Sequence, residues 1–96
     1  MTIGVHNNEE RSRYELVLDG RVVGIADYRH VGDKGDRLVF PHTEIERPLR
    51  GRGYGDQLIK SALDDVRRAG YTLIPSCWAV AEYIAEHPEY GDLVAG

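Results

Sequence analysis

Cysteine is nearly absent. Cys77 stands alone in 96 residues, so no internal disulfide can form, and a reducing cytoplasm is the expected setting. Long apolar runs are missing as well: no stretch approaches the ~20 residues of a bilayer-spanning helix, so no membrane partner is expected. Residues 1–10 carry neither the basic nor the apolar segment of a secretory leader. Positive charge is not in excess. The formal net charge of −4 argues against non-specific nucleic-acid binding, which works by neutralising many phosphates. His6, His30 and His87 hold no metal-ligand spacing with Cys77, so no metal is expected. Internal repeats and low-complexity linkers are also absent.

What is there reads as an ordinary globule, 42% hydrophobic and 29% charged. So short a chain has a modest core and room for one domain, spanning residues 1–96, acting as a monomer or a weak homodimer. Charge is unevenly spread. Arg47, Arg50 and Arg52 cluster in one place, whereas Glu82, Glu86, Glu89 and Asp92 crowd the C-terminal end. A basic spot on an acidic protein suits one small polyanion better than a polymer.

Residues 13–19 alternate apolar and polar side chains as a half-buried strand does. Asp19-Gly20 is a hairpin signal leading into a second strand over 22–29. A turn over 32–35 leads to the longest extended run, 37–46, and a weaker strand is expected over 2–7. After residue 55 the period changes: Leu58, Ile59, Ala62, Leu63 and Val66 fall on one helical face, and Gly70 stops the helix. A short central strand over 71–74 ends at Pro75, and a second helix is expected over 77–86, with Ser76 as its N-cap and His87-Pro88 as its stop. The expected class is α+β: an antiparallel meander of three to four strands, then α-β-α. The crossover makes the strands over 37–46 and 71–74 a parallel pair.

Between strand and helix lies Arg50-Gly51-Arg52-Gly53-Tyr54-Gly55. Alternating glycines let the backbone turn and leave its N–H groups uncovered, and a helix opening there adds the positive end of its dipole. That combination is an anion site suited to a phosphate or pyrophosphate. It is not a P-loop, because Tyr54 follows Gly53 and Asp56 follows Gly55 where Lys and Ser/Thr belong. The dinucleotide fingerprint fails too, since its third glycine would fall on Asp56 or Leu58. Elsewhere, Cys77 at the start of a helix is a candidate proton donor or nucleophile, because the dipole and free amides favour its thiolate. His42 and Glu44, two apart on a strand, share a face and could take a proton from an ammonium.

Arg50, Gly53 and Gly55 form an Arg-x-x-Gly-x-Gly pattern that resembles the pyrophosphate-binding signature of the GNAT superfamily of acetyl-CoA-dependent N-acetyltransferases. With His42-Thr43-Glu44, Pro75-Ser76-Cys77, Tyr83 and His87-Pro88-Glu89-Tyr90, the run resembles the minimal, roughly hundred-residue branch of that superfamily, from Tyr14 to Leu93. The resemblance implies a trimmed GNAT-like fold without the helices that larger members carry between their first two strands. It implies an acyltransferase with acetyl-CoA as cosubstrate and a small-molecule or protein amine as acceptor, reacting by direct attack. The coenzyme would be held by Arg50, Gly51, Arg52, Gly53, Tyr54 and Gly55, with a backbone N–H near Ile45 or Glu46 on the thioester carbonyl. A β-bulge, common in such folds, would aim Glu44 at the coenzyme cleft to assist amine deprotonation. Cys77, the catalytic candidate of that branch, or Tyr83 would protonate the departing thiolate. Two other readings remain at this stage: a non-catalytic acyl-CoA-binding or sensing module, and a small interaction domain with an acidic partner.

Overall fold

The computed structural model describes residues 2–94. Five strands run β1 (Ile3–Asn8), β2 (Arg13–Leu18), β3 (Arg21–Val31), β4 (Arg37–Ile45) and β5 (Thr72–Ile74), with helices α1 (Tyr54–Ala69) and α2 (Trp78–Glu86). They lie side by side in sequence order, antiparallel up to β4 and parallel between β4 and β5. This is the α+β arrangement with the parallel pair read from the sequence.

Local chemistry sets the corners. Asp19 and Gly20 both take positive φ, 50° and 83°, the twist that suits a two-residue hairpin between β2 and β3. A short 3-10 turn over Glu9–Arg11 joins β1 to β2, with the Asn8 side chain accepting the Arg11 N–H at 3.2 Å. Gly70 ends α1 at φ 75°, returning its N–H to the carbonyls of Val66 and Arg67. The whole predicted stripe of α1, Leu58, Ile59, Ala62, Leu63 and Val66, is buried against the sheet, where it meets Leu16, Val23 and Phe40.

Two expectations need correction. The second helix starts one residue later than expected. Cys77 is its N-cap, with extended backbone, and does not lie within the first turn. Ser76 therefore caps nothing; its hydroxyl donates instead to the Phe40 carbonyl at 3.2 Å, tying the start of α2 to β4. Only Pro75 and Ser76 separate Ile74 from that cap, so Ser76 lies one residue before the N-cap position.

β4 itself carries an irregularity that shapes everything downstream. Asp27 pairs with His42 but Arg29 pairs with Val39, so Phe40 and Pro41 together oppose Tyr28. The extra residue inverts the alternation of side chains. Leu38 and Phe40 are buried on the helix side, then Thr43 and Ile45 take that side, leaving His42 and Glu44 exposed. β5 pairs with β4 only from Arg37 to Val39, so the last six residues of β4 continue without it.

Candidate active site

The glycine loop follows β4 through a single 3-10 turn, Arg47–Leu49, started by Pro48. Gly51 and Gly53 both sit at φ 81°, in the left-handed region, and a Cβ added at either would meet nothing within 4 Å. These glycines answer to backbone shape, and the space beside them is open. Gly53 is the N-cap of α1 and brings no side chain to its first amides. The N–H groups of Tyr54, Gly55 and Asp56 thus face outward uncapped, at the positive end of a 16-residue helix. Among the described residues, none of Arg47, Arg50 and Arg52 has a carboxylate partner. Unsatisfied donors and unpaired cations around open space fit a diphosphate.

Arg50 has a second function. Its Nε donates to the Ile45 carbonyl at 2.9 Å, pinning the loop to the end of β4. Glu46 donates its own N–H to Val23 of β3 at 2.9 Å and pairs through its carboxylate with Arg21 at 2.8 Å. Of the two amides named from the sequence, Glu46's is spent. By antiparallel alternation, Ile45's N–H turns away from β3, toward the side where β5 has already ended.

There a cavity of about 470 Å3 opens between β4, α1 and α2. Its walls include Thr43, Ile45, Gly55, Ile59, Ala79 and Tyr83. Tyr83 is 95% buried, yet its hydroxyl has no hydrogen-bond partner among the described residues. Its ring stacks on His87, with centroids 4.0 Å apart. Burial, and then the neighbouring Tyr90, raise its pKa, so the phenol stays protonated.

Glu44 stands at the rim, more than half exposed, 3.5 Å from the likewise exposed His42. Cys77 is not among the residues lining the cavity. Its half-buried thiol lies 3.5 Å from the Thr43 hydroxyl, which is. Burial pushes that thiol up, but the Thr43 hydroxyl and the amides of Val80 and Ala79 together outweigh it, and the net shift is downward. The structure therefore gathers Glu44, Ile45, Arg50, Gly55 and Tyr83 around one space, with Cys77 behind Thr43. Asp56, Trp78, Glu82 and Glu86 also line it and were not singled out as site residues from the sequence. Glu82 and Glu86 had a signal, a like-charge pair one helical turn apart.

A family profile described as GCN5-related N-acetyltransferase matches residues 13–93. The chain belongs to the GCN5-related N-acetyltransferase family. The solution structure of a candidate GCN5-like N-acetyltransferase from Staphylococcus aureus is similar at TM-score 0.72 and 20% identity, covering 97% of this chain and 88% of that one. The ribosomal-protein-S18-alanine N-acetyltransferase from Escherichia coli is similar at TM-score 0.62 and 20% identity, over 85% of this chain and 54% of that one. N-acetylglutamate synthase from Neisseria gonorrhoeae, solved with coenzyme A and N-acetyl-glutamate, gives TM-score 0.59 and 20% identity over 88% of this chain and 22% of that one. At these identities the likeness is one of fold. A sequence search of curated proteins found no match.

Proposed function

We propose that the chain transfers an acetyl group from acetyl-CoA to a primary amine by direct attack. One observation carries this reading: the uncapped start of α1, with Arg50 beside it, opens onto the cavity left where β5 stops short of β4. Acetyl-CoA supplies the activated acetyl group on a thioester.

The chain's own groups divide the remaining work. The amides from Gly51 to Asp56 and the terminal guanidinium nitrogens of Arg50 and Arg52 hold the diphosphate. Gly55, without a Cβ, and Ile45 form the two sides of the slot beyond it, where the added atom would lie 3.8 Å from Ile45 Cγ1. The Ile45 N–H donates to the carbonyl oxygen as charge builds there, an arrangement worth about 3–4 kcal/mol in acyl transfer. Glu44, at the rim and in contact with His42, takes the proton from the incoming ammonium, directly or through water. Tyr83 gives its proton to the departing sulfur. Its burial in the cavity wall and its unpartnered hydroxyl favour it over Cys77 for that step. Cys77 acts through Thr43, holding the wall of the slot.

Calorimetry with coenzyme A and acetyl-CoA tests the first half, and release of free thiol with amine present tests the second. Micromolar binding together with amine-dependent thiol release is the expected outcome. Absence of binding at saturating coenzyme removes the proposal, while binding without turnover on any amine reduces it to a coenzyme-binding module.

A further inference from the structure

The acceptor side of the same cavity carries an unusual charge balance. Glu44, Asp56, Glu82 and Glu86 all line it, against Arg50 as the one lysine or arginine. Among the described residues, none of these four carboxylates has a lysine or arginine partner, and Glu44 meets only His42. Other surface acids among the described residues, Glu9, Glu10, Asp27, Asp33, Asp36 and Glu89, also lack such a partner, while Asp92, Asp64 and Asp65 are held by Arg67, Lys60 and Arg68; what sets the four apart is that they share one cavity. Asp56 has a structural reason, since an acid in the first turn of α1 complements the dipole. Glu82 and Glu86 have none. They stand one turn apart on α2, a spacing at which like charges weaken a helix.

Two further features of this space bear on what it could take. Tyr83, a residue 95% buried, lines the cavity, and its hydroxyl has no protein partner among the described residues and is left to solvent. At the same mouth Trp78 is 77% exposed, the largest exposed apolar side chain described. An indole face beside carboxylates is suited to an alkyl chain ending in a cation. A neutral or acidic acceptor would bring no positive charge to Glu82 and Glu86, which stand exposed and, among the described residues, without a cationic partner close to a polyanionic coenzyme.

Resting on the function proposed above, we infer that the acceptor is an aliphatic di- or polyamine, a primary ammonium with a second positive charge further along the chain. One amine reaches the thioester beside Ile45 and Tyr83. The second stays charged at Glu82 and Glu86, with the intervening methylenes on Trp78. The reaction balances simply. The ammonium loses a proton to Glu44, its nitrogen forms the C–N bond as the C–S bond breaks, and the nitrogen then loses a second proton. The sulfur takes the proton of Tyr83, which is restored from solvent, so one proton is released overall.

The test compares 1,5-diaminopentane with pentylamine, equal in length but lacking the second charge, as acceptors for the full chain at low and at 0.3 M salt. We expect kcat/KM at least tenfold higher for the diamine, an advantage that shrinks with salt. Glu82→Gln/Glu86→Gln brings the ratio to within about threefold of unity, and Trp78→Ala lowers it several-fold. Glu10→Gln, on the remote turn after β1, leaves it unchanged. Calorimetry of the diamine on coenzyme-saturated protein reads the same preference without turnover. Equal use of the two amines, or acetylation of a neutral amine, an amino acid or a basic peptide in place of the diamine, overturns the inference while leaving coenzyme binding intact. Absence of coenzyme binding by the wild-type chain is the separate outcome that defeats the underlying function. Coenzyme-induced thermal stabilisation of each variant shows that it is folded.

Discussion

Replacing Gly55 by alanine separates the demands of folding from those of coenzyme binding. Gly55 lies in the first turn of α1 and is not among the positive-φ glycines. Its added Cβ would sit 3.8 Å from Ile45 Cγ1, an ordinary contact. Nothing in the free protein requires glycine there, so alanine gains about 0.5–1 kcal/mol from the smaller entropy of the unfolded chain. For a domain of this size that is a rise in Tm of roughly 2–8 °C. The coenzyme, however, would have to lie across the surface where Gly55 faces Ile45, and a methyl group there takes up the space against which it would pack. A tenfold loss of affinity is about 1.4 kcal/mol. At a coenzyme concentration of about 100 Kd, stabilisation of the wild type is ~2.7 kcal/mol, and tenfold weaker binding halves it. Thermal unfolding with and without coenzyme A reads both effects in one experiment, and they have opposite signs. Gly53→Ala provides the contrast: at φ 81° the alanine is strained by about 1–2 kcal/mol, so the free protein melts lower. A Gly55→Ala protein that melts higher and keeps the full coenzyme shift would show that the ligand does not cross this residue, and the slot assignment would fall.

Tyr83→Phe is expected to lower kcat by about 100-fold or more while leaving coenzyme Kd within twofold, as loss of a proton donor does; rapid-quench turnover and calorimetry check the two halves. The Cys77 thiol, shifted down on balance, should reach half-maximal alkylation rate below the ordinary value of roughly 8.5, and Thr43→Val should move that midpoint up. Because the folded thiol's pKa is depressed, the stability it contributes is full above the unfolded thiol's pKa and is lost as pH falls through the folded one. Four tyrosines titrate the other way. Burial raises Tyr14, Tyr28 and Tyr83, and the hydrogen bond to Asp64 raises Tyr90. The unfolded chain then holds fewer protons than the folded one above pH ~10, so stability present below that pH is lost as pH rises past it. Urea midpoints falling between pH 9 and 11, with tyrosinate absorbance lagging until unfolding, are the expected result; simple titration of all six tyrosines in the folded state would refute it.

Much of this was legible from the chain because the relevant signals are local. Asp19-Gly20, the stripe from Leu58 to Val66, Gly70 and the glycine loop each carry their conformation in their own side chains or lack of them, and each lies where expected. What escaped depends on partners distant in sequence. The offset at Phe40 and Pro41 exists only relative to Tyr28, so periodicity along β4 alone put His42 and Glu44 on a shared face without saying which. The fate of the Glu46 amide was set by Val23, and that of the Ser76 hydroxyl by Phe40, each on another strand. The 3-10 turn over Arg47–Leu49 fell between two strong signals, the extended run over 37–46 and the glycine loop, and was not expected. Glu82 and Glu86 are exposed helix charges in the structure too, and only the packing of α2 against α1 and β4 places them at the mouth of a cavity.

Pro41, at the offset in β4, has no N–H to offer a neighbouring strand, and β5 halts two residues earlier in the register, opposite Val39. The seam between these strands thus stands unzipped in the free protein, and a visiting molecule breaks no ladder on arrival. A ligand bound there would need no strand pair to open first, and its association is expected at the pace of simple docking.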